Sequence, residues 1–309
     1  MVEALNMRWK QKAAIQRLLS STPGGSSVNY LLQRLVRRSG RLDDSSFLFR
    51  ARTAIAHLDA ALAHLTRPAS SLSVYEFGAG SDLVGPLALR ARGVPSQVLI
   101  DQAVLLRPSL VAEAFRRFQR NGSTLSLPPL PELPTGSRRQ LIHALRERMG
   151  IEYRAPVDAT RTGLKTNSVD LITSNSTLEH VPSANLQPLL KECRRLLRDD
   201  GIMCFRIDYE DHYAILDRAL SPYNFLRYSD RKWRRYNSSL QFQNRLRHRD
   251  YLRLFAEAGL LALSVETLEP SEQSLAELTN MPIAEQFRSY TTAELGTRKG
   301  TFLLRKAPG

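Results

Sequence analysis

The spacing of apolar residues changes character along the chain. From Trp9 to Leu19 they alternate at helical intervals with Lys10, Lys12 and Arg17, and the run stops at Ser20-Ser21-Thr22-Pro23-Gly24-Gly25. Asn29 to Arg38 reads as a second helix. Asp43-Asp44-Ser45-Ser46 offers N-cap oxygens to a third, in which Ile55, Leu58, Leu62 and Leu65 share one face. Pro68-Ala69-Ser70-Ser71 then breaks the chain, so residues 1–70 are expected to form an N-terminal helical cap.

The period shortens at Leu72. Leu72 to Phe77 reads as a strand, Gly78-Ala79-Gly80-Ser81 as a turn, Val84 to Arg92 as a helix and Gln97 to Asp101 as a second strand. Such a βαβ unit predicts a parallel sheet with helices on both faces. A helix over Leu110–Gln119, a proline-dense connection over Leu127–Pro134 and a helix over Arg138–Arg148 follow. Ile151 to Val157 is a weak third strand, and Ser168 to Asn175 a fourth. A helix over Ser183–Arg198 is expected to close at Asp199-Asp200-Gly201, with Gly201 as a left-handed cap, before a fifth strand at Ile202–Ile207. Asp208 to Asn244 has no clear period and reads as an insertion. A helix over His248–Ala258 stopped by Gly259, then strands at Leu260–Thr267 and Thr301–Arg305, complete a ligand-binding domain over 71–309.

Composition narrows the class. The chain has 309 residues, 42% hydrophobic and 24% charged, which suits a folded core and excludes a wholly disordered chain. No run approaches the roughly 18 apolar residues of a membrane-spanning helix. Met1 to Asn6 lacks the apolar segment of a signal peptide. Cys193 and Cys204 are the only cysteines, so neither a disulfide framework nor a Cys-rich zinc site is expected, and a cytoplasmic location is. The net charge is +14, and 37 of the 44 basic residues are arginine. They are scattered along the chain, which favours a general preference for arginine over a dedicated nucleic-acid surface.

The candidate chemistry sits at strand ends. Gly78 and Gly80 permit a sharp turn and close approach of a ligand, and Glu76 adds a carboxylate beside it. The dinucleotide pattern G-x-G-x-x-G fails, because Leu83 stands where its last glycine belongs. Asp101 ends the second strand, where a carboxylate can accept ribose hydroxyls. Asp158 ends the third and can accept an adenine amino hydrogen, and Asn175 ends the fourth.

Val74-Tyr75-Glu76-Phe77-Gly78-Ala79-Gly80, Leu99-Ile100-Asp101, Val157-Asp158-Ala159 and the run from Ser168 to Val181 resemble class I S-adenosylmethionine-dependent methyltransferases. So does Glu192 to Gly201. Leu178-Glu179-His180-Val181 is most similar to the branch acting on small molecules, lipids and sugars. The resemblance implies a Rossmann-like, doubly wound, mainly parallel seven-stranded sheet, with the cap insertion at 208–244 after strand five. It also implies S-adenosyl-L-methionine as cofactor. Gly78, Ala79 and Gly80 would pass under the methionine part, with Glu76 near its ammonium group. Asp101 would hold the ribose, Gln102 would lie against the adenine, Asp158 with Ala159 would read the adenine edge, and Asn175 would offer its backbone. Asp82 departs from the family's third glycine, and the connection from Asp101 to Ile151 is longer than usual.

Methyl transfer to a hydroxyl or amine needs alignment and a proton acceptor. His180, Asp208 and His212 are the catalytic candidates, with Tyr209 beside them. No helical His pair at i, i+4 is present, and no metal is expected. In the insertion, Tyr213, Tyr223, Phe225, Tyr228, Trp233 and Tyr236 interleave with Arg227, Arg231, Lys232, Arg234 and Arg235. That composition suggests an anionic small-molecule acceptor, such as a phosphate-linked sugar or lipid. The basic helix at Trp9–Leu19 suits either a packed cap or peripheral membrane contact. An RNA methyltransferase and a non-enzymatic scaffold are the alternatives; no Asn-Pro-Pro-aromatic motif, Pro-Cys pair or appended RNA-binding module supports the first.

Overall fold

In a computed structural model, the described residues are 9–22, 42–134, 136–215, 217 and 219–308. The helix expected at Asn29–Arg38 lies outside them. Seven strands form one sheet in the order β3-β2-β1-β4-β5-β7-β6. They are β1 (Ser73–Phe77), β2 (Ser96–Ile100), β3 (Ile151–Arg154), β4 (Val169–Asn175), β5 (Leu197–Asp208), β6 (Leu260–Leu268) and β7 (Lys299–Lys306). β1 to β5 are mutually parallel, and β7 enters antiparallel between β5 and β6. The strand order reverses beside β1, and that switch opens a crevice at the carboxyl ends of β1 and β4.

The alternation of side chains divides the core. Tyr75, Phe77, Ile172, Met203 and Phe205 face the helices α6 (Ser183–Leu196) and α8 (His248–Glu257). Val74, Leu171, Ile202 and Cys204 face the other way, against Leu58 and Ala61 of α2 (Asp44–Leu62) and Leu89 of α3 (Val84–Ala91). α4 (Pro108–Asn121) and α5 (Arg138–Met149) extend that second layer beside β2 and β3. The long connection from Asp101 to Ile151 is therefore these two helices joined by the proline-dense stretch. Leu127, Leu130 and Leu133 of that stretch pack on their core.

α2 begins as expected, with Asp43 accepting the Ser46 N–H at 2.7 Å. Its buried stripe is Phe47, Ala51, Leu58 and Ala61, whereas Ile55 and Leu62 are only half-buried. The stripe rotates because α2 lies on the sheet face and against α3. The helix before β5 ends at Leu196, earlier than its apolar pattern suggests, and Leu197 already pairs with Val169. Gly201 is no helix cap: it lies within β5, and its φ is not positive. Gly259 does adopt a left-handed conformation, at φ +70°, and stops α8.

The insertion after β5 builds its own small core with the chain's first helix. Trp9 and Ala13 of α1 (Trp9–Ser20) are buried with Tyr213, Tyr223, Phe225 and Trp233, and with Leu278 of α9 (Glu272–Asn280) and Leu295 of α10 (Thr292–Gly296). The helix of the insertion, α7 (Asp230–Trp233), carries Trp233 into that core. The Trp9 ring lies 4.8 Å from that of Tyr236 and 5.5 Å from that of Tyr213, in tilted and edge geometries. No described helix is long and apolar enough to cross a membrane.

Candidate active site

Two cavities, of about 770 and 510 Å³, lie at the carboxyl edge of the sheet and share Gly78 and Ser176 in their walls. The larger runs between α2 and the strand ends, past Arg50, His57, Glu76, Gly80, Asn175, Arg206, Asp208 and Lys299. The smaller runs past Asp101, Gln102, Asp158, Ala159, Thr177, His180 and Phe242. The expected cofactor residues thus come together along one crevice. Glu76, Gly78, Ala79, Gly80 and Asn175 line its first part, and Gly78, Asp101, Gln102, Asp158 and Ala159 its second.

The turn after β1 depends on its glycines. Gly78 and Gly80 sit at φ +75° and +77°. A Cβ on Gly78 would overlap the Thr177 side chain, whereas one on Gly80 would point into open space. Asp82, in place of a further glycine, accepts the Val84 N–H at 3.2 Å and pairs with Arg50. Leu83 takes the left-handed conformation there, at φ +55°.

Asp101 is 2% exposed. Its Oδ1 accepts the Gly80 N–H at 3.5 Å, while its Oδ2 is buried without a donor. A buried carboxylate oxygen with no partner, on the wall of an open cavity, suits a ligand bearing hydroxyl groups. Burial pushes the Asp101 carboxyl up to about 6, against the lowering effect of the Gly80 N–H and the Tyr153 hydroxyl. Burial, then the charges of Asp101 and Asp82, push Glu76 up to about 8. A cationic ligand group beside Glu76 would reverse that rise. The Asp158 carboxylate already accepts the Thr160 N–H at 2.8 Å, which leaves its other oxygen for a ligand.

Asp208 and His180 line different cavities. Asp208 lines the larger cavity, its Oδ1 accepting the Glu210 N–H at 2.9 Å and its Oδ2 3.9 Å from Lys299 Nζ. His180 lines the smaller one, where its Nδ1 lies 2.6 Å from the Phe242 carbonyl and so carries the proton. The His212 ring packs on that of His180 at 4.9 Å between centroids. Burial, with the His180 charge, pushes His212 down to about 3.

The aromatic and basic residues expected to line the crevice from Tyr213 to Tyr236 do not do so. Tyr213, Tyr223, Phe225 and Trp233 are buried in the cap core, and Arg227, Arg231, Lys232, Arg234 and Arg235 are exposed outside both cavities. Apolar area at those positions contributes more by packing on α1 than by facing water. The cations of the crevice are Arg50, Arg206 and Lys299, which sequence reasoning passed over. Arg206 carried a signal in retrospect, as the one charge within the run Ile202–Ile207. It donates to Asn175 Oδ1 at 3.4 Å and Ser176 Oγ at 3.3 Å, and lies 4.9 Å over the Phe49 ring. His57 was also missed. Its Nδ1 meets Thr173 Oγ1 at 3.1 Å, and burial, then Arg206, push it down to about 4, which keeps it neutral.

Residues 139–205 match a family model described as a methyltransferase domain. Among solved structures, the chain is similar to a putative sarcosine dimethylglycine methyltransferase from Galdieria sulphuraria (17% identity, 84% of this chain and 86% of that one, TM-score 0.45). It is also similar to a geranyl diphosphate methyltransferase in complex with SAM (12% identity, 96% and 95%, TM-score 0.47). A third is an S-adenosylmethionine-dependent methyltransferase from Mesorhizobium loti (15% identity, 81% and 98%, TM-score 0.46). Comparison with curated proteins finds no match.

Proposed function

We propose that the chain is a class I S-adenosylmethionine-dependent methyltransferase, and that it methylates an oxygen or nitrogen of a small anionic acceptor. When bound, S-adenosylmethionine supplies an electrophilic methyl group on a sulfonium sulfur. In this reading the free Oδ2 of Asp101 accepts ribose hydroxyls, and Gln102, Asp158 and Ala159 flank the adenine. Glu76, Ala79, Gly80 and the Asn175 backbone hold the methionine part on the other side of Gly78. The acceptor occupies the larger cavity, where Asp208 takes its proton as the new bond forms. The walls between α2 and the strand ends fix the line of attack.

Arg206 carries the anionic part of this reading. Its guanidinium reaches the cavity with only neutral hydrogen-bond partners, and among the described residues no carboxylate lies within ion-pair distance of it. A planar cation in that setting suits a phosphate or carboxylate.

The test has two stages. S-adenosylmethionine and S-adenosylhomocysteine should raise the melting temperature where NAD does not, and Asp101→Ala should remove the shift. At about 100 times the dissociation constant the gain is about 2.7 kcal/mol. Matched acceptors with and without a phosphate then test the anion, and Arg206→Met should lower transfer to the phosphorylated one at least tenfold. Equal methylation of the neutral acceptor would sink the anionic reading and leave the cofactor reading standing.

A further inference from the structure

Three side chains beside the crevice have no role in binding the cofactor. Glu179 and His180 follow β4, and His212 follows β5. One ligand atom from each lies within 4.8 Å of the others. Glu179 is 3% exposed, and neither of its carboxylate oxygens meets a donor in hydrogen-bonding geometry. Leaving such a group unpaired is costly, and a cation is the partner that would satisfy it.

The two histidines are arranged for the same partner. The Nδ1–H of His180 is committed to the Phe242 carbonyl at 2.6 Å, so its Nε2 carries the free lone pair. A metal-bound histidine is commonly oriented by a hydrogen bond of this kind to a backbone carbonyl. The His212 backbone N–H donates to Gln243 Oε1 at 3.0 Å, which holds that residue to the strap Phe242-Gln243-Asn244. Asn244 fastens the strap to the other ligands, its N–H donating to the Glu179 carbonyl at 2.9 Å and its side chain to those of Leu178 and Val181.

We infer that Glu179, His180 and His212 form a binding site for one divalent first-row metal ion, of the zinc type, opening on the smaller cavity. This goes beyond the methyltransferase reading and does not depend on it. Two imidazoles and one carboxylate are a donor set of catalytic metal centres, which leave a further position for water or substrate. Bonds of about 2.1 Å in a tetrahedral site separate ligand atoms by about 3.4 Å, so shifts of about an ångström complete the site. His180 lines the smaller cavity, so the open position faces that part of the crevice. A water or hydroxyl group bound there would lose its proton more readily.

The experiment uses the full chain, stripped with a chelator and dialysed. Zn²⁺ is titrated calorimetrically, and Co²⁺ is followed by its visible absorption. One equivalent should bind, with a visible band of a four- or five-coordinate nitrogen and oxygen site. Glu179→Gln and His212→Ala should each weaken binding at least tenfold, while the thermal shift with S-adenosylhomocysteine persists and shows that the variants are folded. No metal bound above background, or equal binding by both variants, overturns the proposal. Failure of S-adenosylhomocysteine to shift the wild-type protein would instead count against the methyltransferase reading, whatever the metal titration gives.

Discussion

Gly78 stands at the point where both cavities meet, and two independent constraints act on it. Its φ of +75° disfavours any L side chain, and a Cβ would run into Thr177. Gly78→Ala should cost about 1–2 kcal/mol of stability and weaken S-adenosylhomocysteine binding more than tenfold. Adding Thr177→Ala should recover only part of the loss, since the backbone strain remains. Urea denaturation with ligand titration checks both numbers. Glu76 and Asp101 set a pH dependence. Their folded values of about 8 and about 6 lie above the ordinary 4.5 and 3.8, so the folded chain holds protons that the unfolded chain releases. Ligand-free stability from these groups is complete below about pH 4 and is lost as pH rises toward about 8. Melting temperature against pH should therefore fall less steeply over pH 5–8 in Glu76→Gln than in the wild type. Parallel curves would mean that Glu76 titrates normally. Of these residues, Glu76, Gly78, Gly80 and Asp101 were legible in the sequence, because each ends a recognisable strand or makes its turn. Arg206 and His57 were not, because only the packed fold shows which face of a strand or helix lies on a cavity.

At the scale of elements, Arg247 explains how the insertion is tied to the sheet. It is fully buried just before α8, and its guanidinium donates to the carbonyls of Tyr209, Leu295 and Thr297, each at 2.7 Å. Burial pushes it down to about 10, which still leaves it cationic at neutral pH. Arg247→Ala would strand three buried carbonyls. The expected loss is about 3–5 kcal/mol, read as a lower urea midpoint. A loss below about 1 kcal/mol would mean that water replaces the guanidinium. None of this was visible beforehand, since a buried arginine and an exposed one look alike in a basic chain. Strands were more legible than helices. The period of two set the limits of β1, β2, β4 and β7 within a few residues, because one face of each must be apolar. The helix before β5 was drawn too long because Leu197 continues its apolar stripe while pairing as a strand residue. α9 and α10 went unseen, as each buries few of its residues.

The described residues form a mainly parallel sheet roofed by a second, aromatic core. That core explains why the 208–244 segment has no helical or strand period. Its side chains pack on one another and on α1 rather than along one element. Trp9 is the keystone of the contact, with the rings of Tyr213, Tyr228, Tyr236 and Trp233 around it. Trp9→Ala should lower local stability by about 3 kcal/mol. Its signature is faster limited proteolysis within 213–240, while the sheet stays protected. Unchanged cleavage there would show that the roof holds without α1. The sequence marked 208–244 as a segment without a period after the fifth strand, but composition could not distinguish a surface for ligands from a core.

The union of α1 with the insertion also bears on how the chain is made. The Tyr213 hydroxyl that donates to the Tyr236 carbonyl at 2.7 Å lies 3.3 Å from Gln16 Oε1, across 197 positions of sequence. During synthesis the N-terminal helix emerges long before the segment that covers Trp9. Its apolar face must wait, exposed, until residues beyond 236 have left the ribosome. The βαβ units can begin to pair in order as they appear, but the roof closes late, through contacts of high sequence separation. Truncation from the C-terminal end should therefore release the first helix as well as the last strands.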